Sequence, residues 1–344
     1  MTDTTGPVPI TRAQAALPWV RNWLGWVAFM VFMMVIVGGA TRLTKSGLSI
    51  TEWDPIFGVF PPLSDADWNA VFAKYQQSSQ YKLQNVGMSL SDFQFIFWWE
   101  WAHRLLGRLT GFVFLLPFLF FATTRRLEGR IWPRLIALFV IGGLQGALGW
   151  HMVASGLVDR VEVSQYRLAA HLTLASVLFA AIIWTISSLE WRHKLPRNVD
   201  AWTASILLCL VVLQIAAGGF VAGLNAGQGY NTWPLMDGKL IPDGLSAMQP
   251  LWRNLFENAL TVQFDHRMLA YSIFIVAVWH AVKTFSFTAM VLAYLVFAQA
   301  SLGIFTLIMH VPLGFALLHQ ATAMLTLAAA VWNVHKKTLV QLIA

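Results

Sequence analysis

The stretch Phe97-Trp98-Trp99-Glu100-Trp101-Ala102-His103-Arg104-Leu105-Leu106-Gly107-Arg108 places a carboxylate, an imidazole and two guanidinium groups at the head of an apolar run that continues to Thr124. On a helix, Glu100 lies three residues before His103 and Gly107 four after it, so the three share one face. Arg104 and Arg108, also four apart, share the adjacent face. A single histidine near a membrane interface is more often a satisfied polar residue than a ligand. The arrangement gains weight because the chain repeats it.

Working outward, the composition places the chain in lipid. Hydrophobic residues make up 57% of it and charged residues only 11%, with 17 Trp and 24 Phe. Soluble domains carry about 45–50% apolar and about 25% charged residues. The net charge of +7 does not indicate nucleic acid, because the basic residues lie mainly at the ends of apolar runs, where they carry topology information. Cys209 is the one cysteine and sits inside an apolar run, which excludes an intrachain disulfide and a cysteine-based metal site. The first 21 residues resemble neither a secretory signal nor an Arg-rich presequence.

A membrane-spanning helix needs about 20 mostly apolar residues. Eight such runs are expected, at roughly 23–41, 94–122, 132–155, 168–189, 202–224, 262–282, 288–309 and 313–334. The polar connector Glu190-Trp191-Arg192-His193-Lys194-Leu195-Pro196-Arg197 marks the midpoint. Arg12, Arg21, Arg125, Arg126, Arg130, Arg134, Arg192, Lys194, Arg197, Lys283, Lys336 and Lys337 then fall on one side, and the opposite loops hold most of the acids. Both termini are therefore expected in the cytoplasm. Two long outer segments, 42–93 and 225–261, are expected to fold over something.

The halves repeat in order. Val37-Gly38-Gly39-Ala40 answers Ala217-Gly218-Gly219-Phe220, and Thr51-Glu52-Trp53-Asp54-Pro55 answers Asn231-Thr232-Trp233-Pro234. His103-Arg104-Leu105-Leu106 answers His266-Arg267-Met268-Leu269, and Gln145-Gly146-Ala147-Leu148-Gly149 answers Gln299-Ala300-Ser301-Leu302-Gly303. Leu168-Ala169-Ala170-His171-Leu172 answers Leu317-Leu318-His319-Gln320. Four spans return the chain to its starting side, so the halves have one orientation. The expected fold is an all-α integral membrane protein of eight transmembrane helices, arranged as two pseudo-symmetric, parallel-repeat four-helix bundles. The divisions are a cytoplasmic N-terminus (1–22), a first bundle (23–190), a cytoplasmic linker (191–201), a second bundle (202–335) and a cytoplasmic tail (336–344).

Each half contributes two histidines at similar depth toward the outer side: His103 and His171, then His266 and His319. Two neutral imidazoles facing one another across a bundle can take both axial positions of a haem iron. The Gly-Gly and Gln-Gly elements supply small residues where a porphyrin face comes close. Arg104, Arg108 and Arg267 cost about 2.5–3.5 kcal/mol each at mid-bilayer, but are reasonable near the interface, opposite propionates. Zinc is a poor competitor, since no cysteine or close carboxylate spacing accompanies these residues. His193, His280 and His335 read as interfacial residues of the inner ends, His151 and His310 as interfacial residues of the outer ends, and most Trp, including Trp98, Trp99, Trp101 and Trp150, as an aromatic belt. The halves differ at one position: three residues before His103 stands Glu100, and three before His266 stands Gln263. A carboxylate there can take protons or stabilise a developing cation; its plainer role is a helix N-terminal charge or a partner for Arg104.

The run Gly38-Gly39-Ala40-Thr41-Arg42-Leu43-Thr44-Lys45-Ser46-Gly47-Leu48-Ser49-Ile50-Thr51-Glu52-Trp53, with Glu100-Trp101-Ala102-His103-Arg104-Leu105-Leu106-Gly107-Arg108 and the later histidine helices, resembles the haem A synthase family, in its alphaproteobacterial and mitochondrial class. The resemblance covers almost the whole chain. It implies oxidation of the C8 methyl of haem O to a formyl group through successive hydroxylations and loss of water, giving haem A for terminal oxidases. It implies a substrate haem on His103 and His171 with Glu100 beside the reacting edge, and a haem B on His266 and His319 that passes electrons. Haem O synthase, an electron carrier and a homo-oligomer are the partners it allows, in a bacterial inner membrane. Some bacterial members have paired cysteines in the first outer loop; this chain has none there. The competing expectation is a bis-histidine membrane cytochrome b that carries electrons from quinol, with two permanent, unmodified haems. A transporter is disfavoured because the charges lie away from the midplane.

Overall fold

A computed structural model describes residues 11–54, 57–127, 129, 131–189 and 199–338. Pro55, Arg130, nearly all of the linker 191–201 with His193, and both chain ends lie outside these residues. The elements in chain order are α1 (Arg12–Leu43), α2 (Asp65–Tyr75), α3 (Ser79–Gln84), α4 (Leu90–Thr123), α5 (Trp132–Asp159), α6 (Gln165–Leu189), α7 (Val199–Gly223), α8 (Asn254–Glu257), α9 (Ala259–Thr284), α10 (Phe287–Ile308) and α11 (Leu313–Thr338). Three short 3-10 turns lie between them, and among the described residues the only β pairing is an isolated bridge between Met236 and Lys239.

Local chemistry sets the helix starts. Thr11 and Gln14 form a reciprocal capping box, so α1 begins well before the apolar run, within the segment expected as the N-terminal arm. Ser64 and Ser89 cap α2 and α4, Asn258 caps α9, and Pro133 occupies the first turn of α5, where its missing N–H costs nothing. Among the described residues, seven helices are long and apolar enough to cross a membrane: α1, α4, α5, α6, α7, α10 and α11. The protein is therefore a multi-pass membrane protein. The eighth expected run, α9, has 26 residues but carries Asp265, His266, Arg267, His280 and Lys283, and is not among the seven.

Four helices, α1, α6, α7 and α11, form the centre and pack on one another. Leu24, Ile182, Leu207, Leu327 and Ala330 lie in one continuous core cluster that crosses between the halves, all essentially inaccessible. Glycine makes this closeness possible. A Cβ on Gly219 would stand 2.8 Å from the Ala169 Cα, and one on Gly223 would stand 2.6 Å from the Gln165 Cα, so α7 meets α6 backbone to backbone. Helix α4 packs on α1, α9 on α7, α5 on α6 and α10 on α11.

The outer segments cover one end of this assembly. In the first, Trp68 and Tyr75 of α2 pack on Phe93, Ile96 and Phe97 of α4. In the second, the amides of Asn254 and Asn258 donate to loop carbonyls of Met248, Leu251 and Gly244. Arg42 at the end of α1 ties the halves together. It donates to Glu162 Oε2 at 2.8 Å, the Ala222 carbonyl at 3.0 Å and Asn225 Oδ1 at 3.1 Å. Burial opposes the charge on Glu162, but Arg42, Asn225 and Lys45 hold its carboxyl below the ordinary range.

Two inner-end histidines differ from expectation. His280 and His335 are buried, at 1% exposure each, not interfacial. His280 Nδ1 lies 2.7 Å from Thr203 Oγ1, and its Nε2 lies 3.0 Å from Asn333 Nδ2. His335 stands 3.3 Å from Ser188 Oγ, with its ring edge-on to Trp184. Buried polar groups need partners, and these two find them on neighbouring helices.

Candidate functional site

The four histidines expected as ligands lie on α4, α6, α9 and α11, and each is seated on a glycine of the neighbouring helix. A Cβ built on Gly38 would come within 3.0 Å of His103 Nε2, and one on Gly149 within 2.8 Å of His171 Cε1. A Cβ on Gly218 would come within 3.3 Å of His266 Cε1, and one on Gly303 within 2.9 Å of His319 Cε1. The glycine that meets His103 is thus Gly38 of α1, not Gly107 of its own helix. His103 and His171 are neighbours within the first half, as His266 and His319 are within the second.

The second glycine of each Gly-Gly pair faces the other half. A Cβ on Gly39 would overlap the Gln320 side chain of α11, whose Nε2 donates to the Val35 carbonyl at 3.1 Å. Gly219 meets α6 as described above. One glycine seats a histidine, and its neighbour joins the halves.

Three histidines are also held by a glutamine. Gln145 Nε2 donates to the His171 carbonyl at 3.0 Å and lies 3.4 Å from its Nε2. Gln214 Nε2 donates to the His266 carbonyl at 3.0 Å and lies 3.1 Å from its Nδ1. Gln299 Nε2 lies 3.4 Å from His319 Nε2, and His319 Nδ1 lies 3.2 Å from the Gln299 carbonyl. In each case the glutamine precedes the seating glycine by four residues, one helical turn. On α1 the residue four before Gly38 is Met34.

Glu100 is 2% exposed and fully engaged. Its Oε1 accepts from Arg104 Nε at 3.1 Å and Nη2 at 2.6 Å, and its Oε2 accepts from Ser49 Oγ and the Ile50 N–H, both at 2.8 Å. Arg104 also donates to the Ile50 and Glu52 carbonyls, each at 3.0 Å. In the second half, Gln263 Oε1 accepts from Arg267 Nη2 at 2.8 Å, and its Nε2 donates to the carbonyls of Ala226 at 2.6 Å and Gly229 at 2.8 Å. Arg267 donates to the Tyr230 and Thr232 carbonyls at 2.7 and 2.9 Å. Arg108 donates to the Asp54 carbonyl at 2.8 Å. The three arginines expected opposite propionates thus clamp the backbone of the outer segments. Trp53 sits 5.7 Å beneath the Arg104 guanidinium and 6.3 Å from the Trp150 ring of α5, so the first outer segment reaches across from α4 to α5.

The halves differ most at one seam. Helices α9 and α10 pack along their length, whereas α4 and α5 touch sparsely. At the inner end Phe114 meets Phe139 at 6.2 Å and Phe118 meets Trp132 at 5.5 Å. Outward of these rings, a side chain added at Gly111, Gly142, Gly143 or Gly146 would meet nothing within 4 Å among the described residues. Counting from His103 and His266, Thr110 and Gly111 correspond to Ile273 and Phe274. Counting from Gly149 and Gly303, Gly142 and Gly143 correspond to Val296 and Phe297. Ile273 and Val296 are buried, and the Phe274 and Phe297 rings lie 6.3 Å apart.

A family profile described as "Cytochrome oxidase assembly protein" matches residues 21–331. A heme A synthase of Parvibaculum lavamentivorans is 54% identical over 326 residues, covering 93% of this chain and 94% of the relative. Those of Mesorhizobium japonicum and Azorhizobium caulinodans are each 54% identical, covering 91% and 94% of this chain and 90% and 96% of the relatives. The chain belongs to the haem A synthase family. In this family member, sequence reasoning located the four histidines, the glycines near them and the Glu100/Gln263 difference. It missed the pairing of each histidine with a particular glycine, and Gln214 and Met34 altogether. A signal for both was the repeated four-residue spacing from glutamine to glycine.

Proposed function

We propose that the chain oxidises the C8 methyl of haem O to a formyl group, with haem O on His103 and His171 and a resident haem B on His266 and His319. The observation that carries the assignment of halves is the open α4–α5 seam. Haem O has a long isoprenoid tail, and a substrate that enters from lipid needs a site with a gap toward lipid. The corresponding α9–α10 seam is filled by Ile273, Val296, Phe274 and Phe297, which suits a cofactor that stays.

The residues present fit these groups. Each half supplies two imidazoles, each on a glycine seat that a Cβ would crowd. Among the described residues, His171 Nδ1 and the Oε1 atoms of Gln145, Gln214 and Gln299 are buried without a hydrogen-bond partner, which leaves oxygens beside the histidines free to accept a ring N–H when the other ring nitrogen binds iron. When bound, haem B supplies one-electron chemistry. The chain does the rest. His103 and His171 orient the substrate, the outer segment with Trp53 excludes water, and Arg104 holds that segment in place. Glu100, one turn outward of His103, holds the negative charge that takes protons leaving the methyl carbon.

In this reading α9 is an eighth span, because it packs between α7 and α10 despite its charged residues. The two parallel four-helix halves, 23–190 and 202–335, follow from that, with both termini cytoplasmic, the histidines toward the outer side and a bacterial inner membrane around them. Haem O synthase and an electron carrier are the expected partners. A second reading rests on Glu100 itself. Its bond from Arg104 parallels the one Gln263 accepts from Arg267, and both of its oxygens are engaged, as those of a purely structural residue would be, and that favours a bis-histidine electron carrier.

Extraction of haems from protein purified with haem O in supply separates the two. The expected result is haem B with haem O or haem A in wild type, haem B alone in His103→Ala, and no haem B in His266→Ala. Two equivalents of haem B, one of them lost in His103→Ala, would establish the carrier.

A further inference from the structure

We propose that Met34 is a positioning residue that leaves His103 the releasable ligand of the four, while the equivalent Gln214 locks His266. The inference rests on the reading that the histidine pairs hold haem. Its basis is a single-position difference in an otherwise repeated device. The pairs Gln145/Gly149, Gln214/Gly218 and Gln299/Gly303 each offer one helix face that carries both a seat and an amide for the facing imidazole. Met34/Gly38 offers the seat without the amide. The Met34 Cε turns instead toward Gly107, 3.4 Å from where a Cβ would stand, one turn inward of His103 along α4. Among the described residues, the His103 ring makes no hydrogen bond.

Methionine and glutamine have nearly the same length, so the two residues fill similar space and differ chiefly in hydrogen bonding. A thioether accepts hydrogen bonds only weakly and donates none. An imidazole that gives one nitrogen to iron carries a proton on the other. The glutamine Oε1, buried without a partner in Gln145, Gln214 and Gln299, accepts that proton once the amide is turned and so fixes ring orientation, as partners beyond the ligands commonly do at metal centres. An imidazole without that restraint swings away at lower cost. Three held histidines and one unheld histidine therefore make one side of one site the place where ligation is broken. That side belongs to the half with the open seam. Substrate must enter and product must leave there, which a doubly locked site would hinder.

The full-length protein in lipid nanodiscs, loaded with ferric haem B at both sites, tests this. Readouts are the rate of haem transfer to an excess of a haem-scavenging apoprotein and the fraction of ferrous haem that binds carbon monoxide. Wild type is expected to show one fast-releasing, carbon monoxide-reactive haem and one inert haem. Met34→Gln should slow the fast phase about tenfold and suppress its carbon monoxide binding, the scale of one hydrogen bond. Met34→Leu, which preserves bulk and cannot bond, should behave as wild type. Gln214→Met should make the second haem releasable. Equal effects of Met34→Gln and Met34→Leu, or no change in either readout with Met34→Gln, would overturn the role of Met34. Failure of His103→Ala to remove the low-spin signal of one haem would instead overturn the underlying assignment of ligands.

Discussion

The first and second halves of this protein repeat one set of contacts and depart from it at a few positions. Both seat their histidines on glycine, both clamp an outer segment with an arginine one residue after a histidine, and both join the other half through the second glycine of a pair. They part company where bulk or charge changes at equivalent positions. Glycines line the α4–α5 seam where the α9–α10 seam has Phe274, Val296 and Phe297. Glu100 stands where the other half has Gln263, and Met34 where it has Gln214. Each change is confined to a single position. On the proposed assignment, they separate a half for substrate exchange from a half for cofactor retention.

The largest expected effect comes from erasing the charge difference. Glu100→Gln makes the first half resemble the second and keeps one acceptor oxygen, for Arg104, while its amide can donate to Ser49 Oγ in place of the bond it received. Haem binding should survive, while haem A output falls by roughly a hundredfold or more, within the range of a general base. Normal haem A formation in Glu100→Gln, assayed by chromatography of extracted haems, would reduce Glu100 to a structural partner of Arg104.

Closing the seam should have a smaller and more selective consequence. Gly142→Val with Gly143→Phe installs the residues of the second half on α5. The KM for haem O should rise about tenfold, the scale of a few lost apolar contacts with a tail, while bound haem B stays constant. An unchanged KM in reconstituted membranes would separate the seam from substrate entry.

The smallest effect concerns the tie between halves. The lowered pKa of Glu162 means that its charged form is favoured in the folded protein, so its contribution is complete above its ordinary value of 4.5. That contribution drains away as pH falls below this value through the lowered folded-state pKa. Thermal melts should therefore show wild type converging on Glu162→Gln at acid pH and exceeding it by a few degrees at neutral pH. Parallel curves across this range would mean that Arg42 holds the junction through the Ala222 carbonyl and Asn225 alone.

Much of this was legible in the chain. An excess of apolar over charged residues and runs of about 20 residues dictate membrane helices, because the cost of exposing backbone to lipid is local to each segment. Repeated spacing placed four histidines at matching positions, since helical periodicity is also local. Where charges dilute an apolar run, as Asp265, Arg267 and Lys283 do in α9, the same local signal weakens. The identity of each partner was not legible. Gly38 reaches His103 and Gln320 reaches Val35 only because helices distant in sequence come within contact of each other. His280 and His335 read as interfacial because titratable side chains at helix ends usually face water; Thr203, Asn333 and Ser188, brought in from other helices, allow them to be buried. The arginines read as partners of a cofactor because their charge is visible in sequence, whereas the carbonyls they bind are exposed only by the path of the outer segments. Sequence by itself determined what each helix can do along its own length. Tertiary structure decided which faces meet, which seam stays open and which histidine lacks a partner, because those outcomes depend on distances between helices that no single segment encodes.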